Sequence, residues 1–212
     1  MVIVFGSSMS PFVRKVLAFA AEKGIEIEHR QIGLGSDDPQ FIAASPFRKI
    51  PALNDGDYNL ADSSAIVHYI EARQPAPALI PADPHERGKV VWFDEFADTL
   101  IFACVGKMFF NRVVSPRFMG KPGDEAAAAA GQAEMPPLLD YLESVIPPSG
   151  FLVGDRLTLA DISVASPFVN LGHLDIAIDP ARHPKLAAYL EAILARPSFA
   201  GMVASERRFL AA

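Results

Sequence analysis

A proline-dense segment constrains the fold of this chain more than any other feature of its sequence. Residues 75–85, PAPALIPADPH, hold four prolines in eleven positions, and neither a helix interior nor an interior strand accepts that density. Short apolar runs alternate with helical patterns before this segment, whereas only helical patterns follow it. We therefore predict one domain over residues 1–75, a linker over 76–85 and a second domain over 86–212.

The first domain is predicted to be α/β. Val2–Phe5 is an apolar run typical of a strand that is buried on both faces. After a polar loop, a helix is predicted from Pro11 to Gly24, and a second strand, parallel to the first, follows it. A short helix, a hairpin around the Asp55-Gly56 turn and a helix from Asp62 complete the order β-α-β-α-β-β-α. This order predicts a mixed sheet with helices packed on it.

The second domain is predicted to be entirely helical. Apolar residues recur at helical spacing from Phe93 through Leu100 to Cys104, and further helical patterns extend to about residue 194. Thr158 and Asp161 form a capping box, in which the two residues satisfy each other's backbone N–H groups at a helix start. We interpret this box as a folding signal and assign Asp161 no catalytic role.

Composition and charge exclude several classes of protein. The chain has 212 residues, of which 50% are hydrophobic and 21% charged, as is typical of a soluble globular protein. Its formal net charge of −6 repels nucleic-acid phosphates and anionic lipid, so neither nucleic acid nor a membrane is an expected partner. The single cysteine, Cys104, cannot close a disulfide within the chain, and the first residues show no secretion signal. A cytoplasmic location is the expectation.

The first candidate for chemistry is the loop Gly6-Ser7-Ser8-Met9-Ser10, which joins the first strand to the first helix. Ser10 stands directly before Pro11 and is placed to cap that helix. A hydroxyl and free backbone N–H groups at a helix start also attract an anion, and the two roles are compatible. The five histidines match neither a catalytic triad nor a zinc site, and most of them are expected at the surface.

Two further clusters complete the candidate site. The segment Lys49-Ile50-Pro51 precedes a strand; a cis proline there would turn the backbone of Ile50 toward a ligand, whereas a trans proline would be an ordinary edge residue. Asp62 is suited to cap the next helix, and Ser63 adds a hydroxyl and an N–H that can hold a carboxylate. Together with Ser10, these clusters outline a small peptide ligand that carries an amine, carboxylates and a reactive group.

These motifs, in this order and spacing, resemble those of the cytosolic glutathione transferase family. The resemblance covers essentially the whole chain and implies a thioredoxin-like α/β N-terminal domain, a proline-rich linker and an all-α C-terminal domain. Ser10-Pro11-Phe12 with Arg14 resembles the serine-type active-site loop found in tau-like and many bacterial members of the family. Lys49-Ile50-Pro51 resembles the family's cis-proline motif, and Asp62-Ser63 resembles its acidic-Ser pair.

The resemblance implies that glutathione is the co-substrate and that no metal is needed. The glutathione thiol would lie near the Ser10 hydroxyl, and the backbone of Ile50 would pair with the cysteinyl residue. Asp62 and Ser63 would hold the γ-glutamyl end, and Lys49 would neutralise a glutathione carboxylate. The implied activity is attack of the thiolate on small hydrophobic electrophiles, as in detoxification, by a homodimer.

The resemblance also implies a hydrophobic pocket for the electrophile. The candidate wall residues are aromatic or methionine side chains on predicted helices, namely Phe12, Phe102, Met108, Phe109 and Phe110.

Departures from the family's patterns bear on the activity. Serine in place of cysteine at position 10 disfavours thiol-transferase and dehydroascorbate reductase chemistry. Ser7-Ser8-Met9 imperfectly matches the Ser-Ser-Cys motif of zeta-like isomerases, so Ser7 is an alternative catalytic hydroxyl. A glutathione-dependent isomerase or ether-cleaving enzyme is an alternative function, and a non-catalytic glutathione-binding or regulatory homologue is another.

Overall fold

The computed structural model describes residues 1–211, which form two compact units, one over residues 1–81 together with the last helix and one over 82–196. In chain order the elements are β1 (Val2–Phe5), α1 (Pro11–Glu22), β2 (Ile27–Arg30), α2 (Pro39–Ala44), β3 (Ala52–Asp55), β4 (Tyr58–Ala61), α3 (Ser63–Arg73), α4 (Pro84–Glu95), a π-helical segment (Phe96–Ile101), α5 (Phe102–Phe109), a second π-helical segment (Phe110–Phe118), α6 (Glu125–Glu134), α7 (Pro136–Val145), α8 (Leu159–His173), α9 (Pro184–Leu194) and α10 (Pro197–Ala211). Within residues 1–211 no single helix is long and apolar enough to cross a membrane; α9 and α10 reach that length and composition only when counted together.

The first unit is built on a four-stranded sheet in the order β2-β1-β3-β4. β1 runs parallel to β2 and antiparallel to β3, and β3 runs antiparallel to β4. All four residues of β1 are buried, as the apolar run predicts. In the hairpin, Asp55 pairs with Tyr58, so that Gly56, with a φ of +69°, and Asp57 form the turn. The predicted α/β class and the order β-α-β-α-β-β-α are confirmed.

The proline-dense segment is docked on the first unit. Glu71 of α3 accepts hydrogen bonds from the backbone N–H groups of Leu79 at 3.4 Å and Ile80 at 3.3 Å. Its carboxylate also pairs with Nζ of Lys23 at 2.7 Å, and the same ammonium donates to the carbonyl of Pro77 at 2.7 Å. The backbone of residues 77–80 is thus bonded to Lys23, at the end of α1, and to Glu71 of α3. The first unit therefore extends to residue 81, beyond the predicted end at 75.

The start of α4 also differs from the predicted boundaries. α4 begins at Pro84, inside the predicted linker, with Asp83 as its N-cap. A proline is tolerated at the first position of a helix because that residue's N–H has no partner within the helix.

The last helix lies with the first unit and not with the predicted second domain. α10 packs on α1 and is tied to it at two places. Nη2 of Arg14 donates to Oε2 of Glu206 at 2.8 Å, with both side chains buried, and Oγ of Ser198 donates to Oε1 of Glu22 at 2.6 Å. The predicted helices end at about residue 194, so both α10 and the surface on which it packs are known only from the structure.

α8 is the central helix of the second unit, and its residues from Leu159 to Leu171 are buried. The predicted capping box is present at its start. One oxygen of Asp161 accepts the N–H of Thr158 at 2.9 Å, and the other accepts the N–H of Leu152 at 2.8 Å. Burial raises the pKa of Asp161 from 3.8 to about 6, against the opposing effect of these hydrogen bonds.

Two π-helical segments flank α5 and change which residues face the interior. The predicted apolar face from Phe93 to Cys104 assumes the ordinary helical period, but residues 96–101 form wider turns. Phe93, Ala97 and Cys104 are buried, whereas Leu100 is 44% exposed. The prediction is wrong for Leu100, which lies inside the π-helical segment, where the wider turns change the angle between successive side chains.

Candidate functional site

The strand register brings the three predicted clusters to one edge of the sheet. Phe5, the last residue of β1, pairs with Ala52, the first residue of β3. Ala52 in turn pairs with Ala61, the last residue of β4. Each predicted cluster directly adjoins one of these three residues in the chain, so the neighbouring strands place the clusters side by side. This row turns three separate motifs into one candidate site.

Ser10 stands at the start of α1 with its hydroxyl uncommitted. Its backbone is extended, as an N-cap requires, and its carbonyl accepts the N–H of Arg14 at 2.9 Å. The predicted cap is positional only, because the Ser10 hydroxyl makes no hydrogen bond to the helix. Ser7 differs, since its Oγ accepts the N–H of Met9 at 3.4 Å. Of these two candidate hydroxyls, the one on Ser10 has no hydrogen-bond partner within residues 1–211.

Gly6 allows the serine loop and the proline segment to touch. Its φ is +139°, in a region that side-chain-bearing residues rarely adopt. A Cβ at this position would lie 2.6 Å from Cγ2 of Val13 and 3.0 Å from Cβ of Ile50. The missing side chain is therefore what permits Ile50 to lie against the start of the loop.

The Ile50-Pro51 peptide bond is cis, as the family's motif implies. The buried hydroxyl of Ser45 holds the preceding residue from both sides, donating to the carbonyl of Lys49 at 2.7 Å and accepting its N–H at 2.9 Å. The side chain of Lys49 is exposed, and that of Ile50 is half-buried. The backbone N–H and carbonyl of Ile50 make no hydrogen bond within residues 1–211, so they are available for pairing with a peptide.

Asp62 and Ser63 stand where β4 leads into α3. Oδ1 of Asp62 accepts the N–H of Ala65 at 3.0 Å, which confirms the predicted cap. Oδ2 makes no hydrogen bond within the described residues. The φ of Asp62 is +82°, a backbone conformation that is costly for aspartate and is typical of functional sites. Ser63 is the first residue of α3 and is buried.

The predicted wall residues for an electrophile differ in their exposure. Met108 and Phe109 are buried within the second unit, where the ring of Phe109 lies 6.3 Å from that of His173. Both therefore contribute to the core of that unit. Phe12 in the first unit and Phe102 in the second are half-buried, and Phe110 is 47% exposed.

Two side chains that were not predicted from the sequence hold the backbone of the site. One is Ser45, and the other is His29, whose Nε2 lies 2.8 Å from the carbonyl oxygen of Gly6. Most histidines are expected at the surface, and of the five only His183 is buried, beside Asp140. No local pattern reveals the His29 contact, because only the pairing of β2 with β1 brings the two residues together.

Other reactive groups are less suited to chemistry. Cys104 is buried, and burial raises the pKa of its thiol, which disfavours the nucleophilic thiolate. Within residues 1–211 no three His, Cys, Asp or Glu side chains gather in a way that could hold a metal ion.

The chain is similar along most of its length to proteins of one family. Residues 4–78 match the family model of the glutathione S-transferase N-terminal domain, and residues 97–197 match that of the C-terminal domain. Glutathione S-transferase 3 of Zea mays is 32% identical over 95% of this chain and 93% of its own length. A glutathione S-transferase of Hyoscyamus muticus is 30% identical over 92% of this chain and 93% of its own. The crystal structure of glutathione transferase F7 from Populus trichocarpa covers 98% of this chain and 99% of its own, with 26% identity and a TM-score of 0.83. The chain therefore belongs to the glutathione S-transferase family.

Proposed function

We propose that this protein is a serine-type glutathione transferase that holds glutathione along the edge formed by Phe5, Ala52 and Ala61 and activates its thiol at Ser10. The observation that carries the proposal is the alignment of the three clusters in one row of paired residues. The uncommitted hydroxyl of Ser10 favours it over Ser7. The family supplies the class of reaction, which is transfer of glutathione; the proposed acceptors are small hydrophobic electrophiles, as in detoxification.

Ser10 is proposed to stabilise the thiolate form of glutathione. A free thiol has a pKa of about 8.5, so it is mostly protonated and unreactive at neutral pH. Lowering that pKa by about two pH units requires about 2.7 kcal/mol, which one charge-assisted hydrogen bond and the positive end of α1 can supply. The thiol proton leaves to solvent. The sulfur lone pair then forms the S–C bond, and the electron pair displaced from the carbon departs with the leaving group.

The remaining clusters are proposed to hold the rest of the tripeptide. The backbone of Ile50, turned by cis Pro51, would pair with the cysteinyl residue. Oδ2 of Asp62 would accept from the α-amine of the γ-glutamyl residue, and Ser63 at the start of α3 would donate to its carboxylate. The exposed ammonium of Lys49 would pair with a second carboxylate.

Accessible aromatic rings are candidates for contact with the electrophile. Phe12 and Phe102 are half-buried and Phe110 is exposed, whereas Met108 and Phe109 are core residues. A cytoplasmic location suits an enzyme that consumes glutathione, because glutathione maintains the reduced state of that compartment. The proposed activation of the thiol uses hydrogen bonds and needs no metal ion.

Asp62→Asn tests the glutathione site. Asparagine caps a helix as well as aspartate does and tolerates a positive φ, so the variant is expected to retain the fold. It loses the negative charge that is proposed to bind the α-amine. We therefore expect the KM for glutathione to rise about tenfold with little change in kcat. Steady-state conjugation of glutathione to a chlorodinitrobenzene measures both constants.

Asp83→Asn is the matched control for this experiment. The carboxylate of Asp83, the N-cap of α4, accepts the backbone N–H groups of His85 and Glu86. The same substitution there is expected to leave the KM for glutathione and kcat at their wild-type values. A wild-type protein that neither binds nor conjugates glutathione would contradict the proposed function. An unchanged KM in Asp62→Asn would contradict only the role of Asp62.

We further propose that the protein is a homodimer in which Phe47 contacts a second copy of the chain. Phe47 lies between α2 and β3 and is 88% exposed, the largest exposed fraction among the large apolar side chains within residues 1–211. Burying a phenylalanine stabilises an interface by about 2 kcal/mol, so Phe47→Ala is expected to weaken self-association at least about tenfold. Sedimentation over a concentration series measures it.

Phe209→Ala, which truncates another exposed phenylalanine, 55% exposed in α10, is the control for self-association and is expected to leave it unchanged. A wild-type monomer, or a Phe47→Ala dimer of wild-type affinity, would argue against this interface.

A further inference from the structure

A histidine on β2 reaches the loop that leads to Ser10. Nε2 of His29 lies 2.8 Å from the carbonyl oxygen of Gly6. A carbonyl oxygen only accepts hydrogen bonds, so Nε2 must carry the proton. The neutral Nε2–H form and the imidazolium both donate at this nitrogen, and the contact therefore persists in either charge state of the ring.

The residue that His29 holds is also the most constrained position of the loop. The N–H of Gly6 donates to the carbonyl of Arg30 at 3.0 Å, so that both polar groups of its backbone are tied to β2. Val13 and Ile50 occupy the space where its side chain would be. The path of the loop after Gly6 therefore depends on contacts with β2, with α1 and with the cis-proline segment.

The turn that presents Ser10 begins immediately after this position. The N–H of Ser10 donates to the carbonyl of Ser7 at 2.9 Å, which leaves only a short, tight path from Gly6 to the start of α1. A small rotation of the Gly6 carbonyl would therefore be passed on to Ser10. Catalytic rates are sensitive to displacements of this size, since an error of about 1 Å can cost about a hundredfold.

We propose that His29 is a positioning residue of the thiol site: by donating to the Gly6 carbonyl, it fixes the path of residues 7–10 and hence the place of the Ser10 hydroxyl. The inference rests on the proposed function, because it concerns the same hydroxyl. His29 acts through the backbone of Gly6 and need not touch glutathione. Its effect is on the alignment of Ser10 with the sulfur.

Two substitutions separate the hydrogen bond from the bulk of the ring. His29→Leu keeps much of the volume and removes the donor, whereas His29→Gln keeps an amide N–H near the place of Nε2. In His29→Leu we expect the pKa of the bound glutathione thiol to rise by about one pH unit and kcat at neutral pH to fall about tenfold. His29→Gln is expected to restore most of both. Thiolate absorbance in a pH titration and steady-state conjugation are the measurements.

His68→Leu is the matched control. His68 is a half-buried imidazole on α3 of the same unit and makes no hydrogen bond within residues 1–211. The same substitution there is expected to leave the thiol pKa and kcat at their wild-type values.

Hydrogen exchange of the unliganded protein provides a second readout that does not use glutathione. The loop amides of His29→Leu, above all the N–H of Ser10, are expected to exchange faster than in wild type, and those of His29→Gln at nearly the wild-type rate. This readout decides the inference even where the wild-type protein forms no thiolate and the proposed function has failed.

Three results would overturn the role of His29. The first is a folded His29→Leu protein with wild-type exchange in the loop and, where wild type forms the thiolate, an unchanged thiol pKa. The second is a His29→Gln protein as impaired as His29→Leu, because the N–H would then not be the important group. If His29→Leu does not fold, His29→Gln is compared with wild type. Loop-amide exchange and a glutathione thiol pKa that match those of wild type would support the positioning role of His29. Faster exchange of the loop amides in His29→Gln would be the third contrary result.

Discussion

Ser10→Ala is expected to raise the pKa of the bound glutathione thiol by about one to two pH units, because the positive end of α1 remains, and to lower kcat/KM at neutral pH by about ten- to a hundredfold. The substitution removes the proposed hydrogen bond to the thiolate but leaves the backbone of α1 in place. Because the Ser10 hydroxyl does not cap the helix, the free energy of unfolding is expected to change little. Titration of thiolate absorbance, conjugation kinetics and denaturant unfolding test these three statements.

Two further variants identify the hydroxyl responsible. Ser7→Ala removes the alternative hydroxyl, which bonds to the N–H of Met9, and is expected to leave the thiol pKa near the wild-type value. Ser10→Thr keeps a hydroxyl at the proposed position and is expected to retain part of the activity. A normal thiol pKa in Ser10→Ala together with a raised one in Ser7→Ala would show that Ser7 has the role proposed for Ser10.

Asp161→Ala is expected to produce the largest loss of stability. The carboxylate of Asp161 accepts the backbone N–H groups of Thr158 and Leu152, and both residues are buried. Removing it leaves two buried donors without their acceptor, which costs about 3 kcal/mol. Denaturant unfolding measures the change. Asp155→Ala, which removes an exposed carboxylate of the same unit, is the control and is expected to be nearly neutral. A similar stability for both variants would mean that the capping box does little for the fold.

The raised pKa of Asp161 also predicts a pH dependence. The pKa is about 6 in the folded protein and 3.8 in an unfolded chain, so the folded state holds this proton more tightly. The contribution of Asp161 to stability is therefore fully present below pH 3.8 and is lost as the pH rises through about 6. Asp161→Asn cannot titrate, so its stability relative to wild type is expected to improve from about pH 4 to about pH 7.

The comparison between wild type and Asp161→Asn isolates this one group. Other carboxylates, such as Asp140, whose hydrogen bond from His183 lowers its pKa, contribute with the opposite sign. Their effects are common to both proteins and cancel in the difference. If the unfolding free energies of wild type and Asp161→Asn change in parallel across this pH range, Asp161 does not titrate within it.

The sequence by itself determined most of the elements and much of the candidate site. The apolar run of β1, the hairpin turn at Gly56 and the cap at Asp62 could each be predicted. Each depends on groups that are close together in the chain, such as a side chain and an N–H three residues later. The three clusters were recognisable for the same reason, since each is a short run of residues with its own local chemistry.

Only the tertiary structure decided which parts of the chain meet. It paired Phe5, Ala52 and Ala61 in one row, packed α10 on α1 through Arg14 and Glu206, and brought His29 to Gly6. It also left the Ser10 hydroxyl uncommitted, against the prediction that it caps α1. These contacts join residues that are distant in sequence, by 192 positions for Arg14 and Glu206. They depend on how whole elements pack to bury apolar surface and satisfy polar groups, which no local pattern of side chains encodes.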